Sequence, residues 1–197
     1  MKRSNNLQAL LISGMVIFTI GLLFGCKKSG EGDSQQRNSV YRSNTEQEKT
    51  VNVGDVFICG VCGHIEFGSA PENCPVCQSP KDQYTQNNNI FKESEEQSTE
   101  AAAKHIPSIT VNKECELIPE QSCVDVVVRI GETLHPMEES HYIQFIDCYV
   151  DNRYISRILL TPGVFAAGCF HLKAAGSKVR VVEFCNLHGY WLAEADL

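Results

Sequence analysis

The chain has 197 residues, 43% of them hydrophobic and 21% charged, with a formal net charge of −7. It is too apolar for wholesale disorder, and its acidity argues against a nucleic-acid partner. Ten cysteines are the informative count, because four stand in two Cys-x-x-Cys pairs and a fifth in Cys-x-x-His. That is ligand spacing more than disulfide spacing.

Residues 1–25 have a basic start at Lys2 and Arg3, then a mostly apolar run that ends at Gly25 before the polar Lys27. These are the marks of an export leader. Leu23-Phe24-Gly25-Cys26 resembles the lipobox of bacterial lipoproteins, which implies a lipid on Cys26. The expectation is an exported, membrane-anchored lipoprotein facing the periplasm or the cell exterior. An uncleaved anchor is the alternative, since the run approaches the length that spans a bilayer. Residues 26–54 are almost devoid of apolar side chains and read as a flexible stalk.

Residues 55–84 contain Cys59-Gly-Val-Cys62 and Cys74-Pro-Val-Cys77. Two such knuckles suit one tetrahedral ion, and about 30 residues need that ion in order to fold. Disulfides are the other reading of the four thiols in an oxidising compartment. Cys59-Gly-Val-Cys-Gly63, Gly68-Ser-Ala-Pro71 and Cys74-Pro-Val-Cys77 resemble the rubredoxin-like domain of rubrerythrins. The resemblance implies a one-electron iron site, although zinc takes the same four ligands. His64 reads as a surface side chain, the four thiolates already completing a tetrahedron.

Residues 85–103 are polar and acidic and read as a linker, with a short helix near Glu100 to Ala103. Residues 104–197 hold β-branched runs at 123–130, 141–150, 154–160 and 178–184, with turn signals between them. The fold class is therefore mainly β, an antiparallel sandwich following a small metal knob.

His105, His135, His141, Cys185 and His188 stand at loop-like positions of this larger unit. Lys104-His105-Ile-Pro107, His135-Pro-Met137 with His141-Tyr142, and Cys185-Asn-Leu-His188-Gly189 resemble the superoxide reductase family, the desulfoferrodoxins and neelaredoxins. The resemblance implies an immunoglobulin-like sandwich holding one non-haem iron on four imidazoles and the Cys185 thiolate, with one position open. It implies reduction of superoxide to hydrogen peroxide by one electron and two protons, re-reduction through the Cys59/Cys62/Cys74/Cys77 site, and an electron donor of unknown identity. It also places Lys104 beside the open position, where an ammonium attracts the anion. A glutamate that often precedes this lysine in the family is replaced here by Ala103, with Glu138 and Glu139 as nearby acids.

Electron transfer within one chain or between chains of a homo-oligomer are both compatible with the acidic linker. Cys115 and Cys123 could close a disulfide, Cys148 and Cys169 read as buried small side chains, and His171 as a surface or hydrogen-bonded residue. Two further classes differ in metal. A copper carrier would use two histidines, a cysteine and usually a weak methionine, and no methionine follows His188. A zinc-only structural lipoprotein would be colourless.

Overall fold

The computed structural model describes residues 53–96, 99–113, 117–118, 121–173 and 175–197. The leader, Cys26, nearly all of the stalk, and Cys115 lie outside the described residues. The described residues belong to one compact unit.

The knob is built on three short antiparallel strands, β1 (Val56–Cys59), β2 (Ile65–Phe67) and β3 (Tyr84–Gln86), in the order β2-β1-β3. After it come two short helices, α1 (Ile90–Glu95) and α2 (Thr99–His105). The expected linker is thus largely folded: Phe91 is buried and stacks on Phe67 of the knob, with ring centroids 6.4 Å apart.

Seven strands make the larger part: β4 (Pro107–Asn112), β5 (Val124–Ile130), β6 (Ile143–Val150), β7 (Arg153–Leu159), β8 (Ala167–Leu172), β9 (Lys178–Cys185) and β10 (Gly189–Asp196). They form a three-stranded sheet β4-β5-β8 and a four-stranded sheet β10-β9-β6-β7, all neighbours antiparallel. This is an immunoglobulin-like sandwich in which the fourth strand joins the third instead of lying beside the fifth. Alternation fixes the inner faces: Val126, Val128 and Ile130 of β5 meet Ile146, Cys148 and Val150 of β6 and Val179 and Val181 of β9 in one core cluster. Val150 and Arg153 are joined by Asp151 and Asn152 at φ 46° and 67°, the two-residue hairpin that right-handed strand twist favours.

A second cluster joins the knob to the sandwich. Val56, Ile65 and Phe67 pack with Phe91 against Phe145, Tyr149, Val182 and Tyr190, on the four-stranded sheet. Polar contacts fix the seat. Tyr149 donates to the Ile65 carbonyl at 2.8 Å, Tyr190 to the Gly63 carbonyl at 3.0 Å, and Arg157 Nη1 to the Cys62 carbonyl at 2.8 Å. Gly63 has φ 71°, and a Cβ there would lie 2.8 Å from the Tyr190 hydroxyl, so the knuckle can approach the sheet only as glycine.

Candidate metal centres

Strand direction gathers the histidines. In the antiparallel order, β4 and β6 begin, β5 and β9 finish, and β10 begins at the same end of the sandwich. His105 sits in the last turn of α2, just before β4. His135 lies between β5 and β6, His141 two residues before β6, and Cys185 and His188 flank the turn from β9 to β10.

The four rings make a square. Neighbouring centroids are 4.6 Å apart for His105–His135 and His135–His141, 4.7 Å for His141–His188 and 4.8 Å for His188–His105, each pair tilted by 68–77°. The diagonal His105–His141 is 6.3 Å. Two opposite edges of the nitrogen square measure 3.0 Å (His105 Nε2 to His135 Nε2) and 3.1 Å (His141 Nε2 to His188 Nδ1). A square of that edge has its centre about 2.1 Å from each corner, the length of a bond from imidazole nitrogen to a first-row metal ion. Cys185 Sγ is 3.5 Å from His188 Nδ1, and all five donor atoms lie within 4.8 Å of one another.

Tautomers decide what this cluster is for. His105 Nδ1 faces the Ala101 carbonyl at 2.6 Å and His135 Nδ1 the Pro136 carbonyl at 2.5 Å. A carbonyl only accepts, so each Nδ1 carries the proton and each Nε2 presents a lone pair. Two lone pairs facing at 3.0 Å repel unless a cation lies between them, and the outer-shell carbonyls are the usual partners of metal-bound histidine. Burial, foremost, holds His105 and His135 down at about 4, so both are neutral and ready to ligate. His141 is also pushed down, first by burial. The Cys185 thiol is raised by burial, while the backbone N–H groups of Leu187 and His188 point at its sulfur and favour the thiolate. The residues fit a single ion held by four imidazoles and one thiolate.

The knob's four thiols form the second set. None is in a disulfide; Cys59 and Cys77 sulfurs are 3.7 Å apart, and those of Cys62 and Cys74 3.6 Å. A tetrahedron with metal–sulfur bonds of about 2.3 Å has an edge of about 3.8 Å, so the set fits one tetrahedral ion. The two knuckles are built alike: Gly63 N–H donates to Cys59 O and Gln78 N–H to Cys74 O, each at 2.9 Å, both residues having positive φ. Ser79 Oγ lies 3.1 Å from Cys59 Sγ and 3.2 Å from Cys77 Sγ, and its hydrogen bond is the main cause that lowers Cys77 to about 6.

The family model described as desulfoferrodoxin matches residues 97–194, and the rubredoxin-like domain of rubrerythrin matches residues 57–85. A desulfoferrodoxin of Syntrophotalea carbinolica is 34% identical over 143 residues, covering 71% of this chain and 95% of that protein. The chain belongs to the desulfoferrodoxin family. A desulfoferrodoxin of Nitratidesulfovibrio vulgaris is 37% identical over 148 residues, 73% of this chain and 98% of its own length. The superoxide reductase structure of Treponema pallidum matches with TM-score 0.44 at 23% identity, over 71% of this chain and 95% of that one.

As a desulfoferrodoxin, the chain holds several residues that sequence reasoning gave no role. Trp191 is buried, stacks on His105 at 4.9 Å and donates its indole N–H to the His188 carbonyl at 3.2 Å. Asn186 accepts from Tyr142 N–H at 2.9 Å and donates to the Ser140 carbonyl at 3.0 Å, tying the β9–β10 turn to the loop that carries His141. Gly131, at φ 80°, donates to the Ile106 carbonyl, while Thr133 N–H donates to that of Ala103, so the end of β5 cradles the end of α2. Asn186 lies inside the Cys185-Asn-Leu-His188 motif, whereas nothing in the local sequence marks Gly131; their partners, remote in sequence, give both a purpose.

Lys104 lines a cavity of about 560 Å³ with His135, Pro136, Met137 and the 162–165 loop. His64 is not on the surface: it is fully buried, between Glu66 at 3.2 Å and Asp147 at 3.6 Å, and outside the four-thiol set. Desolvation opposes its charging, but the two carboxylates win and raise it overall. Cys148 is buried as expected, whereas Cys169 is exposed because odd positions of β8 face solvent. Cys123 is disulfide-bonded, with its expected partner Cys115 outside the described residues.

Proposed function

We propose that this desulfoferrodoxin is a superoxide reductase, converting superoxide to hydrogen peroxide with one electron and two protons and releasing no dioxygen. The observation that carries the reading is the square of four imidazoles with a buried cysteine sulfur beside it. Iron held by these five donors supplies one electron per turnover and a Lewis-acid centre for the anion. Neutral histidines and a single thiolate leave the loaded site cationic, which favours an anionic substrate. Lys104 adds a local positive charge at the cavity edge, where it steers superoxide despite the acidic whole. His105 and His135 keep their Nδ1 protons on backbone carbonyls, so neither competes as a proton source; solvent reaching the cavity supplies both.

Cys59, Cys62, Cys74 and Cys77 would hold a second iron, whose chemistry would be one-electron re-reduction fed by an external donor. Lipid on Cys26 tethers the chain to a membrane and places it outside the cytoplasm; the polar stalk and the apolar leader support this arrangement.

The test reduces the purified protein, adds superoxide and measures peroxide and dioxygen together. Peroxide with stoichiometric iron oxidation and no dioxygen is expected; equal peroxide and dioxygen would mean dismutation and overturn the reading. Replacing Lys104 by Ala slows superoxide capture and flattens its dependence on ionic strength, and unchanged pulse-radiolysis kinetics would remove that residue from the mechanism.

A further inference from the structure

A third set of metal-ligand side chains lies on the outer face of the sheet β4-β5-β8. Register makes it. Asp125 of β5 is directly opposite His171 of β8, and Cys169 stands two residues before His171, on the same face. Their donor atoms lie within 4.8 Å of one another. His171 Nδ1 is 2.7 Å from Asp125 Oδ1, and Cys169 is a free, exposed thiol beside them.

An Asp–His pair alone is an ordinary surface contact. The thiol is what such a contact leaves unexplained: the same row of the face carries Thr110 and Val127, the register partners of one another and of Cys169. Both His4Cys and four-thiol sets are remote. Asn112, which pairs Asp125, is the last residue of β4, five residues or roughly 16 Å along the strand from Pro107 at the His105 end.

We infer that Asp125, Cys169 and His171 form a third metal site, which takes one divalent ion of the zinc class. Sulfur, imidazole nitrogen and carboxylate oxygen are a donor mixture that selects zinc-like ions over magnesium or calcium. Three protein ligands leave the fourth position to water, as an exposed face permits. Binding releases the Cys169 proton, which burial first and the Asp125 charge second otherwise hold on the sulfur. The ion staples β5 to β8 at the end of the sandwich opposite the four-histidine square.

The test uses the full-length, iron-loaded protein with zinc chloride as the probe and alkylation of Cys169 as the readout, followed by peptide mass analysis. Zinc at micromolar concentration is expected to block alkylation of Cys169, a chelator to restore it, and the iron content to stay constant throughout. His171→Gln and Asp125→Asn should each lose the protection while leaving zinc-free alkylation intact. Alkylation at the same rate with and without zinc would overturn the site, as would protection that survives both substitutions. Neither result depends on superoxide turnover.

Discussion

Gly131 holds the backbone at φ 80°, and a Cβ there would overlap the carbonyl oxygens of Lys104 and Thr133. The last turn of α2, which delivers Lys104 and His105, therefore rests on the absence of a side chain. Gly131→Ala should cost more than about 1 kcal/mol, since the new residue is strained and must displace backbone. Iron per chain after purification should fall with it, whereas a purely local strain would lower the denaturation midpoint and leave iron content intact. Asn186 acts at the opposite corner through two hydrogen bonds, to Tyr142 and Ser140. Asn186→Ala frees the loop bearing His141, and iron retention against a chelator should weaken on the order of 10- to 100-fold, the usual effect of losing an outer-shell partner. Unaltered retention would make Asn186 a bystander.

Among elements, the pairing of β6 with β7 carries the ion pair that seats the knob. Arg157 holds Asp147 with two bonds, 2.6 and 2.7 Å, lies over the Phe145 ring at 3.5 Å, and reaches the Cys62 carbonyl. Asp147 is fully buried, so Arg157→Leu strands a carboxylate and should destabilise the protein by about 3–5 kcal/mol, read from chemical denaturation. A loss near zero would show that His64 and Tyr149 suffice for Asp147. At the far end of the same hairpin, Asp151 accepts bonds from Ser177 and Lys178, which hold it below its ordinary value of 3.8, the Ser177 hydroxyl foremost. A depressed carboxylate adds stability above its unfolded value and loses it as pH falls through the folded one. Asp151→Ala should therefore weaken the protein at neutral pH and have no effect at pH below both values.

How much of this was legible depended on the element. Runs such as Val124–Ile130 and Lys178–Cys185 announce themselves by β-branched residues, and the two Cys-x-x-Cys knuckles by spacing. Strands β4, β8 and β10 do not: one starts at Pro107, one holds Gly168, and the last reads Leu-Ala-Glu-Ala, poor strand formers that packing overrides. The five clustered donor residues were legible through three separated motifs, but the square they make depends on antiparallel order, and the burial of His64 on a partner 83 residues away.

Across the whole molecule, the knob is a lid on the sandwich as well as a candidate electron relay. It covers Phe145, Tyr149, Val182 and Tyr190, so its own folding keeps an apolar patch of the four-stranded sheet from water. The knob's three strands contain only ten residues and leave little core without the ion. Removing metal from the four thiols alone, by Cys62→Ser with Cys77→Ser, should therefore do two things at once. Unfolding of the knob exposes the aromatic cluster, seen as binding of a hydrophobic fluorescent dye, and lowers the denaturation midpoint of the sandwich. The visible absorption of iron on His105, His135, His141, His188 and Cys185 should persist, because those ligands are held from the sandwich's own end by α2, Trp191 and Asn186. If the midpoint is unchanged and no dye binds, the knob is seated without contributing stability. If the iron absorption disappears as well, the two metal centres are joined in one folding unit, and the single compact unit of the described residues is cooperative from knob to square.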